Sequence, residues 1–355
     1  VLTATGATQV NITAVNDVPV FSLLDGVAAY TENAAAVVLD NNVTVLDLEL
    51  SASGSYAGAT LTLNRSGGAN AQDGFAATGT LGALTQGGSL IVGATTIGTV
   101  TTNSAGTLVL TFNASATQVL VNSTLQQIGY TNSSDAPPAS VTIAWTFSDG
   151  NAGAQGTGGA LTATGSITVT ITAVNDAPVL ADTALTINQR KDAPMPAGAV
   201  GSLVSDFTGG ISDADGTAAR GVAVVASDET HGTWYYTTDA GANWLAVGTV
   251  ANNSALLLSA DASTRLYFRP NAGYGGVQAA ALTLRAWDKS SGSAGSKVDA
   301  SVNGGGSAFS AATDVIDALV SGITVTPIDS TTSEVGGTGS FSVVLASAPT
   351  ADVTI

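Results

Sequence analysis

The chain has 355 residues and carries 26 Asp and Glu against 9 Lys and Arg, with no cysteine. A formal charge of −17 argues against nucleic acid and anionic membrane surfaces as partners, because both require clustered Lys and Arg. The lack of cysteine excludes disulfides, thiolate catalysis and cysteine zinc sites, while the length suffices for two or three domains with cores of their own.

Residues 1–21 and 160–180 repeat one phrase, with 14 identities at an offset of 159 residues. In each copy an alternating apolar segment is followed by Asn-Asp, as Asn16-Asp17 and Asn175-Asp176, and then by proline. Proline keeps the preceding residue extended, which suits the start of a new domain without a helix. We therefore interpret 1–17 as the last strand of a preceding repeat.

Period-two alternation predicts β-strands at 107–112, 141–147, 167–172 and 281–287. Residues 115–130 place Val121, Leu125 and Ile128 at helical spacing and predict one short helix, and 311–320 resemble a second helical turn. Many short strands with Gly-rich turns predict all-β, antiparallel sandwich domains. No apolar run is long enough to span a bilayer, so we expect no membrane insertion in this segment.

The repeat period predicts tandem domains in an extended array rather than a solenoid, whose repeats are shorter. We predict one sandwich at 18–176, a second sandwich module at 177–323, and an incomplete third domain at 324–355.

Acidic residues recur with the same spacing in the two predicted sandwiches. Each set begins with Asn-Asp, continues with acid-x-acid about 30 to 40 residues later, and ends with one Asp just past an aromatic strand. The first acidic set comprises Asn16, Asp17, Asp47, Glu49 and Asp149. The second acidic set comprises Asn175, Asp176, Asp213, Asp215 and Asp288.

Calcium takes six to eight oxygen ligands, and a single loop rarely supplies them all, so each set is a candidate calcium site. Before position 176 nine acids face only one basic residue, Arg65, so water or cations must neutralise them. For any one Asp a turn role is the ordinary explanation. For each set as a whole, the duplicated spacing favours metal binding over a turn role. The second set is not an EF-hand, because position twelve counted from Asp213 is Val224 instead of Glu.

Three stretches resemble the cadherin-like repeats of very large bacterial surface and RTX-type adhesins: "YTENAAAVVLD", "LQQIGYTNSSDAPPASVTIAWTFSDGN" and "TATGSITVTITAVNDAPV". "GTWYYTTDAGANW", "TRLYFRP", "LRAWDKSSGSAG" and "SAFSAAT" resemble a companion module found beside such repeats. "TTSEVGGTGSFSVVLASAPTADVTI" resembles the opening of a Calx-β domain. The resemblance implies tandem Ig/cadherin-like sandwiches with Ca²⁺ held at the inter-domain linkers by the two sets, and it adds Glu32 to the second set.

An enzymatic role is not expected. The single histidine, His231, precedes a glycine and is interpreted as a turn residue, and Asp213 and Asp215 are better spaced to chelate than to flank a sugar bond. Trp234, Tyr235, Tyr236 and Trp244 suggest either a sugar-stacking platform or a hairpin core. We favour the core, with Trp234 and Tyr236 inward and Tyr235 outward. Three scattered arginines, Arg265, Arg269 and Arg285, do not suggest an anion site.

The sequence therefore predicts a secreted or bacterial cell-surface protein segment with a structural and adhesive role, stiffened by calcium at its linkers. Its expected partners are neighbouring domains or copies of the same protein, with surface glycans or matrix as further candidates. One alternative is a subunit of an extracellular filament or biofilm-matrix fibre that assembles by strand addition. A second alternative is a carbohydrate-binding module.

Overall fold

The computed structural model describes residues 8–216, 220–325 and 341–345. The chain divides into two compact units, unit 1 (Val1–Val174) and unit 2 (Asn175–Ile355). The division falls two residues before the predicted boundary at 176, and the four-part domain organisation stays a prediction. Most of the Calx-β-like opening lies outside the described residues. No helix in the described part of the chain is long and apolar enough to cross a bilayer.

Unit 1 is built from short strands and two short helices. The strands are β1 (Val20–Ser22), β2 (Ala28–Thr31), β3 (Val37–Val38), β4 (Thr44–Leu46), β5 (Thr60–Arg65), β6 (Asp73–Ala77), β7 (Ser89–Val92), β8 (Thr95–Ser104), β9 (Thr107–Phe112), β10 (Ile128–Asn132), β11 (Ser140–Ser148) and β12 (Thr162–Thr172). The helices are α1 (Leu48–Ser53) and α2 (Gln118–Leu125).

A seven-stranded sheet in the order β2-β12-β11-β5-β9-β8-β7 packs against a three-stranded sheet in the order β3-β10-β6. All pairs are antiparallel except β2 with β12. Alternation in β11 buries Val141, Ile143, Trp145 and Phe147 on one face. Across the two sheets, Tyr30 meets Tyr130 edge-on with ring centroids 5.8 Å apart. The predicted sandwich class is confirmed for this unit.

Unit 2 repeats the two-sheet plan with different strands. They are β13 (Val179–Leu180), β14 (Leu185–Arg190), β15 (Ser202–Leu203), β16 (Ile211–Ser212), β17 (Gly221–Ser227), β18 (Gly232–Thr237), β19 (Leu245–Ala246), β20 (Ala255–Ser259), β21 (Arg265–Pro270), β22 (Gly276–Trp287), β23 (Lys297–Val298), β24 (Asp314–Ser321), β25 (Ile323–Val325) and β26 (Val343–Leu345), with a short 3-10 helix at Val204–Phe207. A six-stranded sheet (β14-β24-β22-β17-β20-β23) packs on a four-stranded sheet (β15-β21-β18-β19).

The aromatic group of β18 belongs to the core of unit 2. Trp234 is fully buried with its ring centroid 5.0 Å from that of Phe268, Tyr236 is buried, and Tyr235 is half-buried on the opposite face. This confirms the hairpin-core interpretation. Trp244 is half-buried, and its indole N–H donates to the carbonyl of Gly198 at 3.1 Å. With two of the four rings buried, the aromatic group offers no continuous stacking platform, so it gives the carbohydrate-binding alternative little support.

The helical predictions had mixed outcomes. Helix α2 is confirmed, with Val121 and Leu125 buried, but Ile128 starts strand β10. The expected second helical turn at 311–320 is wrong, because β24 occupies Asp314–Ser321. Alternate residues of β24 are buried, and the strand pairs with both β14 and β22. Pairing on both sides outweighs the weak local helical pattern.

Residues 8–14 form no strand in the structure, although they continue the alternating phrase of the predicted last strand. Val10 and Ile12 are 77% and 90% exposed. In the second copy of the phrase the same pattern forms part of β12, between β2 and β11. The phrase therefore forms a strand where it has partner strands to pair with.

Candidate metal centres

Two members of the first acidic set, Asp47 and Glu49, lie at the start of helix α1, which the sequence analysis did not predict. Asp47 is the N-cap of α1, and its Oδ1 accepts a hydrogen bond from the backbone N–H of Leu50 at 2.9 Å. Capping by Asp satisfies a backbone donor of the first helical turn. Asp47 is only 1% exposed, and its second oxygen, Oδ2, is buried with no hydrogen-bond donor among the described residues. Glu49 lies in the first turn of the same helix.

Asp149 directly follows strand β11 and is fully buried. Its Oδ1 accepts from the backbone N–H of Asn151 at 2.9 Å, and both its oxygens are 3.1 Å from the backbone nitrogen of Leu161. Oδ2 also accepts from Nδ2 of Asn16 at 2.7 Å. The carboxylate thereby organises the loop between β11 and β12 and connects it to the Asn-Asp segment.

The Asn16-Asp17 segment is hydrogen-bonded to the loop after β11 and to Glu49 of helix α1. The Asn16 amide donates to the carbonyl of Gly159 at 3.0 Å in addition to Asp149, and the backbone N–H of Asp17 donates to Oε2 of Glu49 at 3.4 Å. Asn16 is 5% exposed, and its Oδ1 is a second buried oxygen without a donor among the described residues. These contacts connect Asn16 to Asp149 and Asp17 to Glu49, and Asp47 lies close enough to Glu49 and Asp149 for their charges to raise its pKa.

The electrostatics of the first set favour a cation. Burial raises the pKa of Asp47, the hydrogen bond from Leu50 opposes that rise, and the nearby charges of Glu49 and Asp149 add to it. The only basic residue of unit 1, Arg65, is paired with Asp73. Two buried oxygens without donors, together with crowded carboxylates, are the features that a hard, oxygen-liganded cation such as Ca²⁺ satisfies. The donor types and buried acceptors of the first set are therefore compatible with the ion that the sequence implied.

The second acidic set has the same hydrogen-bond scaffold within unit 2. Nδ2 of Asn175 donates to Oδ2 of Asp288 at 3.0 Å, as Asn16 does to Asp149. The backbone N–H of Asp176 donates to Oδ2 of Asp215 at 2.7 Å, as Asp17 does to Glu49. Oδ1 of Asp213 accepts from the backbone N–H of Asp215 at 2.9 Å.

Four members of the second set, Asn175, Asp213, Asp215 and Asp288, line one cavity of about 200 Å³. Arg220 and Lys289 line the same cavity. Burial and the charges of Asp288 and Asp215 raise the pKa of Asp213. The hydrogen bond from the backbone N–H of Asp215 and the positive charge of Arg220 lower it. The sequence analysis did not assign Arg220 or Lys289 to this site.

Glu32 directly follows strand β2 and is 3% exposed. Its Oε2 accepts from the backbone N–H of Val174 at 2.9 Å, while Oε1 has no donor among the described residues. Glu32 thus holds the last residue of unit 1, and its assignment to the second acidic set stays a prediction.

Two further residues of the first site were missed from sequence. Asn151 is buried and holds the β11–β12 loop through bonds to the backbone of Gly153, Gln155 and Gly156. Gln155 donates to the carbonyl of Asp149 at 3.0 Å, and its own side-chain oxygen is buried without a donor among the described residues. The available signal was Asn two residues after Asp in "SDGN", a pattern typical of successive side-chain-capped turns.

Gly150→Ala is expected to destabilise unit 1 by about 2–5 kcal/mol, because the cost of a left-handed backbone adds to the cost of a steric clash. Gly150 has φ +66, and a Cβ there would lie 2.1 Å from the carbonyl oxygen of Gly58. Urea unfolding measures the loss. Gly54→Ala is the matched control, with φ +71 and open space around the added Cβ, and should cost only about 1 kcal/mol. Equal losses in the two variants would contradict the close approach of the Asp149 loop to Gly58.

No protein-family model matches the chain, and no curated protein sequence matches it. Solved structures with similar features include a protocadherin gammaB7 EC3-6 cis-dimer, at TM-score 0.39 and 16% identity over 90% of this chain and 55% of that one. Mouse cadherin-23 EC22-24 follows at 0.33 and 11%, over 86% and 67%, and human CDH23 EC21-23 at 0.31 and 10%, over 93% and 80%. The chain thus spans about half the length of the protocadherin chain. Because these scores are low, the assignment of the fold rests on the sheets of the two units.

Proposed function

We propose that this chain is a calcium-stiffened structural and adhesive repeat segment of a large, secreted bacterial surface protein. The observation that carries the proposal is Asp47, a buried carboxylate with one oxygen that no described residue satisfies, coupled to Glu49 and Asp149. An uncompensated buried carboxylate is costly, and a bound cation removes that cost. The bacterial origin and the adhesive role come from the sequence resemblance alone.

Calcium is the favoured ion because of the donor types. The first acidic set offers carboxylate and amide oxygens and no thiol or imidazole, which suits Ca²⁺ and does not suit Zn²⁺ or copper. When bound, the ion supplies positive charge and six to eight coordination positions. Asp47, Glu49 and Asp149 would hold it, with Asn16 offering Oδ1 and Asp17 its exposed carboxylate.

The mechanical consequence follows from where the Asn-Asp segments lie in the chain. Each segment precedes the first strand of a sandwich and is hydrogen-bonded to two other parts of that same sandwich, a loop and helix α1 in the first and two loops in the second. A cation that ties the segment to these loops restricts its backbone and cancels repulsion among the carboxylates. In this proposal calcium converts flexible links into stiff ones, and the protein extends whatever it presents away from the cell.

The proposal includes no catalytic role. His231 is exposed and stacks on Tyr274, with ring centroids 4.2 Å apart and 6° between the planes. Neighbouring domains, copies of the same protein and matrix components are the proposed partners. Assembly into filaments by strand addition stays an alternative, and it depends on the alternating segment of which residues 8–14 form no strand in the structure.

Small-angle scattering of the intact chain tests the stiffening. With millimolar calcium we expect a longer maximum dimension and a narrower distribution of shapes than in chelator, together with slower proteolysis within 174–180. Magnesium at the same concentration is the control for ionic strength and general divalent screening. A chain that is equally extended in chelator and in calcium would contradict the proposal.

A further inference from the structure

The two acidic sets share a scaffold but differ in charge. In both, an Asn side chain donates to the late Asp, at 2.7 Å in the first set and 3.0 Å in the second, and an Asp backbone N–H donates to the second acid of the acid-x-acid pair. Each set contains four carboxylates. Unit 1 adds no Lys or Arg to its set, because its only basic residue is bound to Asp73.

Unit 2 adds two cations to its set. Arg220 and Lys289 line the cavity that also exposes Asp213, Asp215 and Asp288. Arg220 is half-buried, and its charge acts on Asp213. Lys289 directly follows Asp288 and has φ +69, a strained conformation for a residue other than glycine, next to a carboxylate whose Oδ1 accepts from the N–H of Ser290 at 2.7 Å.

The second set differs from the first in having a buried donor beside it. In the first set, the buried atoms without a partner among the described residues include two acceptors, Oδ1 of Asn16 and Oδ2 of Asp47, which a cation satisfies. Beside the second set, Nε of Arg220 is a buried donor that makes no hydrogen bond to any described residue. A guanidinium held in this position offers the carboxylates around it a permanent counter-charge.

We infer that Arg220 and Lys289 lower the calcium affinity of the second acidic set, so that the two sets fill at different calcium concentrations. The inference rests on the proposed function, and it names two residues that determine how tightly the second acidic set binds calcium. Calcium affinity rises with the negative charge of the ligand set. Four carboxylates give the first set a formal charge of −4, whereas the two cations reduce that of the second to −2.

The size of the effect follows from Coulomb's law. A unit charge about 8 Å from Ca²⁺ in a water-like dielectric changes the dissociation constant about sixfold, and screening by salt at about 0.15 M reduces this to about twofold. Removing both cations is therefore expected to tighten the second set by roughly an order of magnitude. As calcium falls, the second set empties first, and the link next to it loosens while the first set remains filled.

Calorimetric titration of the intact chain with CaCl₂ at low salt tests the inference. The wild type is expected to give two separate binding steps. Asp149→Asn should remove the tighter step, and Asp288→Asn should remove the weaker one. Arg220→Gln and Lys289→Gln should each tighten only the weaker step, about two- to sixfold. Lys297→Gln is the charge-matched control and should change neither step, because Lys297 does not line the cavity.

Circular dichroism of each variant checks folding, and if Arg220→Gln does not fold, Lys289→Gln alone decides the question. Two steps of equal affinity, or a weaker step that neither substitution tightens, would overturn the inference and leave the calcium proposal standing. Loss of the weaker step instead of the tighter one in Asp149→Asn would also overturn the inference and leave the calcium proposal standing. Absence of any binding heat in the wild type, together with unchanged thermal stability in calcium, would overturn the calcium proposal and this inference with it.

Discussion

Asp149→Ala is expected to lower the free energy of unfolding of unit 1 by about 2–3 kcal/mol in chelator and to abolish its stabilisation by calcium. The loss in chelator arises because the fully buried carboxylate accepts hydrogen bonds from Asn16, Asn151 and Leu161. Removing it leaves buried donors unsatisfied, at about 1–3 kcal/mol. The loss in calcium arises because free ion at 100 times its dissociation constant stabilises the wild type by about 2.7 kcal/mol.

Urea unfolding with and without calcium measures both quantities. Asp149→Asn is a matched variant that keeps one acceptor oxygen, so we expect a smaller loss in chelator and the same loss of the calcium effect. Asp25→Ala removes an exposed charge whose side chain is not part of the set, and it should retain the full calcium effect. If Asp149→Ala gained as much stability from calcium as the wild type does, Asp149 would not be a ligand.

Arg65→Met is expected to destabilise unit 1 by about 3 kcal/mol, by leaving a buried carboxylate uncompensated. Nε and Nη2 of Arg65 donate to the two oxygens of Asp73 at 2.8 and 2.6 Å, and the Asp73 side chain is fully buried. Tyr130 and Asn132 also donate to Asp73 Oδ1, at 2.6 and 3.0 Å. These two bonds stay after the substitution, so we expect a value at the low end of the range for broken buried pairs.

Arg65→Lys separates charge from geometry. Lysine keeps the positive charge but cannot form the two-pronged contact, so we expect an intermediate loss. Chemical unfolding at pH 7 in chelator avoids any contribution from calcium. A loss below about 0.5 kcal/mol for Arg65→Met would show that the pair behaves like an exposed surface salt bridge, and the assignment of Asp73 as a buried anchor would then be wrong.

The residues of the first acidic set could be grouped from sequence because their order is duplicated, and their role as ligands stays a prediction. A single Asp in a Gly-rich loop is ambiguous, but the same order of Asn-Asp, acid-x-acid and late Asp occurs twice in this chain. The structure then brings Asn16 to Asp149 across 133 positions of sequence. The metal itself stays a prediction, because local pattern can place oxygens near each other without identifying what they bind.

Features that depend on neighbours along the chain were predictable from sequence. Alternation predicted β11 and β12, helical spacing predicted α2, and the repeated phrase marked the Asn-Asp segments, because side-chain direction in strands and helices follows from local geometry. Features that depend on distant partners emerged only from the fold. It made β24 a strand by pairing it on both sides, and it made Asp47 a helix cap as well as a candidate ligand. It also placed Arg220 and Lys289 in the cavity of the second set. Non-local pairing and burial supply most of the energy of a β-sandwich, so these positions could not be predicted from local pattern alone.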